Sequence, residues 1–265
     1  MKRSWRQGLV CVFALALTLS SVPAASAASG RAGEDLGPFA KCPLARHSIE
    51  GCIKAVVKGG SLTVGRGSVP LTAPIVLQGG FESVSTGIAV IGASDGETLS
   101  AAPQPVPGLK GVLAVTATVE LAGPASGRTE IGLNTSNLLI ETGPAIILPV
   151  VVELDNPLLG GGCTIGSSSE PIEISLTTGS SGSLQGSAGD FSSDESSGAT
   201  TLRNAKLVGA DYPVGLAHGC GGSLSSFVDP VVDLALGLPA APGQSSAVLE
   251  ADLQFTPVEA LRGRG

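Results

Sequence analysis

Residues 148–179 read LPVVVELDNPLLGGGCTIGSSSEPIEISLTTG, and their pattern decides the fold class. Ile172, Ile174 and Leu176 alternate with Glu173, Ser175 and Thr177. That is the period of a half-buried strand, whose successive side chains point to opposite faces. Val150, Val152 and Leu154 begin a second alternation, with Glu153 on the other face. Asn156-Pro157 stops that strand, and Gly160-Gly161-Gly162 supplies backbone freedom that residues with a Cβ lack. The stretch is strand, turn, strand.

Outward from it the same signals recur. Strands are predicted at 53–57, 61–64, 69–77, 87–91, 115–121, 200–208 and 214–217, and at 247–255, where Ala247, Leu249, Ala251, Leu253 and Phe255 share one face. Residues 92–110 carry Pro103, Pro105 and Pro107 and read as a surface loop, because proline cannot donate to a central ladder. Residues 123–137 read as a second loop, and the Ser- and Gly-rich run 179–198 as a flexible excursion. One short helix is predicted near 229–236, with Asp229 as its cap, Pro230 in its first turn and Gly237 beyond its end. The expected class is all-β, an antiparallel β-sandwich-like architecture.

Length allows one large domain or two tandem or duplicated β-modules, residues 28–125 and 138–257, followed by a tail at 258–265. An internal echo favours duplication. A Gly-flanked strand precedes Pro70 and another precedes Pro171, and alternating strands precede Pro124 and Pro257. Against it, Gly, Pro and alternating aliphatics recur in any β-protein.

The N-terminus has the composition of an export signal. Lys2, Arg3 and Arg6 precede an apolar run over 8–19, and Ala25-Ser26-Ala27 forms a small-residue cleavage site, so 1–27 is read as a signal peptide. Val10 before Cys11 does not suit a lipidation site, and nothing later reaches the roughly 18 apolar residues of a membrane span. Loss of residues 1–27 leaves 12 of the 15 basic residues against 22 acidic ones, a net charge of −10. That balance excludes a nucleic-acid surface and disfavours anionic lipid. Cys42, Cys52, Cys163 and Cys220 then remain, and an even count in an exported chain implies disulfides. Of three connectivities we favour Cys42–Cys52, which closes a short loop, and Cys163–Cys220, which joins the central turn to a glycine-rich loop. A zinc site is the rival, but neither spacing suits one.

Chemistry is harder to find. The histidines are His47, inside the first cysteine loop, and His218, two residues before Cys220. A Ser–His–Asp arrangement could recruit His218 with Asp211 or Asp229 and Ser223, Ser225 or Ser226, yet no G-x-S-x-G elbow occurs. The acids are scattered, and Tyr212 with five phenylalanines is a poor supply of sugar platforms. Asp190, Asp194 and Glu195 lack the spacing of a calcium loop. No phosphate loop, dinucleotide fingerprint or HExxH is present. No residue is therefore assigned a catalytic, cofactor-binding or metal-ligating role.

LPVVVELDNPLLGGGCTIGS, the following PIEISLTTG, Gly219-Cys220-Gly221 and VDPVVDLALGLPAAPGQSSAVLEADL together resemble a group of uncharacterised secreted proteins of actinobacteria. The resemblance implies export and a high-GC origin and carries over no site residue. The function expected is that of a secreted or cell-envelope-associated, non-enzymatic β-protein that binds a cell-wall polymer or a secreted protein. A secreted hydrolase with an unfamiliar site near His218 is the alternative. A third reading makes the Cys42–Cys52 loop a protease-inhibitor element.

Overall fold

Alternating aliphatics need a common interior, and the chain supplies one by curling a single sheet. The computed structural model describes residues 36–262, apart from 86, 108–110, 112–113, 124–127 and 196–197. The stretch read as an export signal, 1–27, lies outside the described residues, as do 28–35 and 263–265. Eight strands follow one another in chain order around a ring: β1 (Gly51–Val64), β2 (Ile75–Val84), β3 (Gly87–Gly92), β4 (Arg128–Leu133), β5 (Ile146–Asp155), β6 (Ile172–Leu176), β7 (Ala199–Gly209) and β8 (Ser246–Pro257). Neighbours are antiparallel throughout, and β8 lies between β7 and β1. Closure comes at the β6–β7 seam. There Thr177 and Val208 exchange two backbone hydrogen bonds of 2.8 Å.

The class is the one expected, all-β and antiparallel. The two walls that face each other across the core belong to one ring, and strands from both stretches named as modules share that ring and its core. Of the echoed strands, β2 and β6 stand opposite each other in the ring. Thr116–Leu121 lies outside it, hydrogen-bonded to the second half of β5, whereas its counterpart β8 is a ring strand.

Local chemistry explains the register. Val150, Val152 and Leu154 of β5 are buried with Glu153 less so, and β8 buries Ala247, Leu249, Ala251 and Leu253 while exposing Glu250. A one-residue slip would turn these sets outward, so burial favours this register over its neighbours. Two bulges flank β8, between Val57 and Gly59 of β1 and between Leu202 and Ala205 of β7. Asp252 ties them together. Its Oδ1 accepts from the Lys58 Nζ at 2.8 Å and from the Asn204 N–H at 2.8 Å, and Asn204 holds a left-handed φ of 55°. Bulges sharpen local twist, which a small ring needs in order to close.

Beyond the ring strands, a second tier covers one end. Gly67–Pro70 pairs with the end of β1, and Thr164–Ile165 pairs with β5 and with Ala217–His218. Helix α1 (Thr135–Ile140) buries Leu138 in the ring's core. Helix α2 (Ser225–Leu236) is the expected helix, but it begins four residues earlier than 229. Helix α3 (Val258–Arg262), in the stretch read as a tail, buries Val258 and Leu261 beside the Cys42–Cys52 disulfide in a second small core on the outside of β1 and β3. The Ser- and Gly-rich run holds a short hairpin and a strand, Asp190–Asp194, paired with β7.

Partial burial acts to raise the Asp252 pKa, but the Lys58 ammonium and the Asn204 N–H outweigh it, so the carboxyl titrates below the ordinary 3.8. A group whose pKa is depressed by folding contributes stability above its unfolded value and loses it as pH falls through the folded one. Urea midpoints should therefore fall on acidification below about pH 4, and Asp252→Asn should be less stable than the parent at pH 7 while converging with it at low pH. Parallel midpoint–pH curves for the two proteins would contradict this role.

Candidate functional site

The second tier gathers the features that sequence analysis singled out. The Cys163–Cys220 disulfide is formed, both sulfurs are buried, and it joins the turn after β5 to the segment that leads into α2. Asn156, at the strand stop, accepts from the Leu158 N–H at 2.7 Å and donates to the Ala114 carbonyl at 2.6 Å. Gly221 N–H reaches the Leu159 carbonyl, so the two loops are stitched by backbone as well as by sulfur.

Asp229 and Asp233 have other work than capping the helix. Because α2 starts at Ser225, Pro230 lies inside it and forgoes the hydrogen bond its missing N–H would give. The Asp229 carboxylate instead accepts from the Cys220 N–H at 2.7 Å, and Asp233 from the Ala217 N–H at 2.8 Å. At the other end Gly237 takes a left-handed φ of 68°, and the Arg66 N–H donates to the Leu236 carbonyl at 2.7 Å. The helix is thus fixed along its whole length.

One face of α2 packs on the core through Val228, Val232 and Leu236. A second face is also apolar. Leu224 just before the helix is 59% exposed, Phe227 76%, Val231 65% and Leu234 75%. Their 3-4-3 spacing makes one stripe. Leu158, on the adjoining loop, is exposed as well. An amphipathic surface helix ordinarily shows one apolar stripe, turned to the core, whereas α2 has two, with Asp229 and Asp233 on a further face. The helix is buried on one side only, and the outer stripe lacked recognition in the sequence because the Asp229-Pro230 pair drew the helix start past Phe227.

His218 ends the edge strand Ala217–His218, with its side chain exposed. Its ring makes no hydrogen bond to Asp211 or Asp229 among the described residues, and the Asp229 carboxylate is already engaged by Cys220 N–H. Ser223, Ser225 and Ser226 lie at the start of α2. His47 is exposed in the Cys42–Cys52 loop, whose residues 45–48 face solvent while Ile49 is buried. Asp190 and Asp194 are on the exposed strand beside β7, Asp190 accepting from the Asn204 side chain at 3.1 Å, and Glu195 follows in a turn. No group of three or more potential metal ligands occurs among the described residues. Tyr212 is buried with its hydroxyl unpartnered among the described residues, and burial pushes its pKa up, so the phenol stays protonated.

Inside the ring a cavity of about 90 Å³ remains. All eight strands line it with aliphatic side chains, and Phe255 supplies its one aromatic ring. At roughly 24 cal/mol per Å³ such a void costs on the order of 2 kcal/mol of packing. Comparison of the chain with protein-family models, with curated proteins and with solved structures finds no match.

Because the Cys163–Cys220 disulfide closes a loop of 57 residues in sequence separation, its loss should be felt globally. Replacing both cysteines with serine should lower stability by about 2–5 kcal/mol, read as a reduced melting temperature under non-reducing conditions. An unchanged melt would remove the disulfide from the account of what holds α2 in place.

Proposed function

We propose that this chain is an exported, non-enzymatic binding protein that presents the outer stripe of α2 to a protein partner. The single observation that carries the reading is the stripe itself, Leu224, Phe227, Val231 and Leu234 held in solvent by a disulfide, two carboxylate–amide bonds and a packed inner face. Contiguous exposed apolar side chains on a rigid support mark interaction surfaces. A stripe at 3-4-3 spacing is what a helix offers to an apolar groove.

The chemistry of the surroundings narrows the partner. Helix α2 carries Asp229 and Asp233 and no lysine or arginine, which is the opposite of an interfacial helix on anionic lipid. Phe227 is its single ring, too little for stacking on a polysaccharide. A protein groove needs neither basic residues nor a platform of rings. Export fits the two disulfides and the N-terminal composition.

The test is retention on cells of the encoding organism. The mature chain and a Phe227→Ser/Leu234→Ser variant are added to washed cells, and bound protein is measured before and after mild proteolysis of the cell surface. Retention that the variant loses at least tenfold, with its melting temperature unchanged, and that proteolysis of the cells abolishes, is the expected result. Equal retention of parent and variant overturns the assignment of the stripe, and retention that resists proteolysis but not lipid extraction replaces the protein partner with a membrane.

A further inference from the structure

The interior of the ring is separate from α2 and points to a second site. We propose that the lumen holds the alkyl chain of a single-chain amphiphile whose uncharged, hydroxyl-bearing head group lies in the cleft outside the β6–β7 seam. The lumen fixes the first half of that description. Ile53 and Val57 of β1, Leu207 of β7, and Leu249 and Leu253 of β8 face the 90 Å³ cavity with no polar side chain among its lining. An apolar cavity of this kind stays dry and accepts apolar guests, and eight strands enclose just enough room for side chains or one small ligand. Ala55 and Ala251 face it where larger side chains would fill it. The guest must be narrow and must leave any polar group outside.

The seam fixes the second half. Every other ring junction is a ladder of several residue pairs or, at β4–β5, of two, whereas β6 and β7 meet through the single Thr177–Val208 bridge. Opening there breaks the two hydrogen bonds of that bridge, while just beyond it Ser181 and Ser187 tie the chain after β6 to Ala210 and Lys206. A cleft of about 550 Å³ lies against this seam, and Leu176 lines both the cleft and the lumen, so one side chain separates them. The cleft is lined by hydroxyls of Ser175, Thr177, Ser180, Ser181 and Ser183, with Asp211 its only charged residue. Several of these hydroxyls already serve the backbone: Ser181 Oγ accepts from Ala210 N–H at 2.9 Å and Thr177 Oγ1 from Gly179 N–H at 3.0 Å. Ser181 and Thr177 keep donor capacity for a polyhydroxyl head group, whereas the Ser180 hydroxyl donates to Gln185 Oε1 at 3.2 Å and keeps acceptor capacity. A carboxylate or phosphate head would face Asp211 without a cation to offset it.

Alkyl β-D-glucosides with four, six and eight carbons, used below their micellar concentrations, are titrated calorimetrically into the disulfide-intact mature chain. Affinity should rise about fourfold per added methylene until the lumen is full, and hexanoate should bind at least tenfold more weakly than hexyl glucoside. Ala251→Phe should fill the lumen and abolish binding while melting cooperatively. Leu253→Ala should enlarge it and move the preference to the longer chain. No saturable binding of any glucoside overturns the site, as does undiminished binding to a cooperatively melting Ala251→Phe. If that variant does not fold, an unchanged chain-length preference in Leu253→Ala is decisive against the lumen. Hexanoate binding as tightly as hexyl glucoside overturns the head-group assignment alone.

Discussion

The fold depends on the last strand finding its place between the first and the one before it. β8 pairs with β1 from Gly51 opposite Pro257 to Thr63 opposite Ser246, and with β7 from Thr200 opposite Phe255 to Gly209 opposite Ala247. Until those two ladders form there is no ring, and the aliphatic faces of seven strands have no common interior. The pairing joins residues some two hundred positions apart, so its loop-closure entropy comes due before its contacts return anything. Cys42–Cys52 lies outside that path, and Cys163–Cys220 shortens it by a separation of 57 positions without bringing its ends together. What specifies the pairing is burial on one face together with Asp252, which reaches from β8 to both flanking bulges.

The composition sets what such a ring can contain. Aromatic residues make up 3% of the chain, so the interior is built from Val, Leu, Ile and Ala. Branched aliphatics fill layers well, but Ala55 and Ala251 leave a gap that the one ring in the lining, Phe255, does not fill. The void is therefore a property of the chosen side chains. Leu176 borders it beside the weakest junction of the ring, where the close approach of β6 to β7 is tolerated because position 209 is glycine: a Cβ there would come within 2.2 Å of the Ser175 carbonyl oxygen.

Much of this was legible in the sequence, and the gaps have physical reasons. Alternation in β5, β6 and β8 identified strands and their inward faces, and an even set of cysteines with turn signals around them identified the two disulfides. β4 was read as loop because only Ile131 and Leu133 carry its apolar face and Gly132 between them looks like a turn. Alternation says that one face is buried, not whether two sheets or a single ring does the burying; that is decided by the ladder between the ends of the chain. The start of α2 was misplaced because Asp-Pro has the same local appearance as a cap and first turn. Its acids are instead satisfied by amides distant in the helix direction, at Ala217 and Cys220, a tertiary fact with no local signature. The outer stripe of α2 did have one, since Phe227, Val231 and Leu234 recur at helical spacing beside the inner set Val228, Val232 and Leu236.

The two apolar surfaces differ in how the chain supports them, and the difference follows from their positions. The second tier is cross-linked: a disulfide, the Asn156 turn and two carboxylates hold α2, so its exposed stripe is presented without rearrangement. Preorganisation of that kind lowers the entropy lost on association with a large partner. At Thr177 and Val208 the seam itself is held by a single backbone bridge. Its two hydrogen bonds separate a dry cavity from a hydroxyl-lined cleft, and local opening draws on the least stable part of a structure. A surface that must keep its shape is braced, while an interior that must admit a guest is left a boundary that can part. The Cys163–Cys220 disulfide and the Thr164–His218 pairing join the connection before β6 to the connection after β7, so parting of β6 from β7 is a local event at Thr177 and Val208 rather than a separation of the two strands along their length.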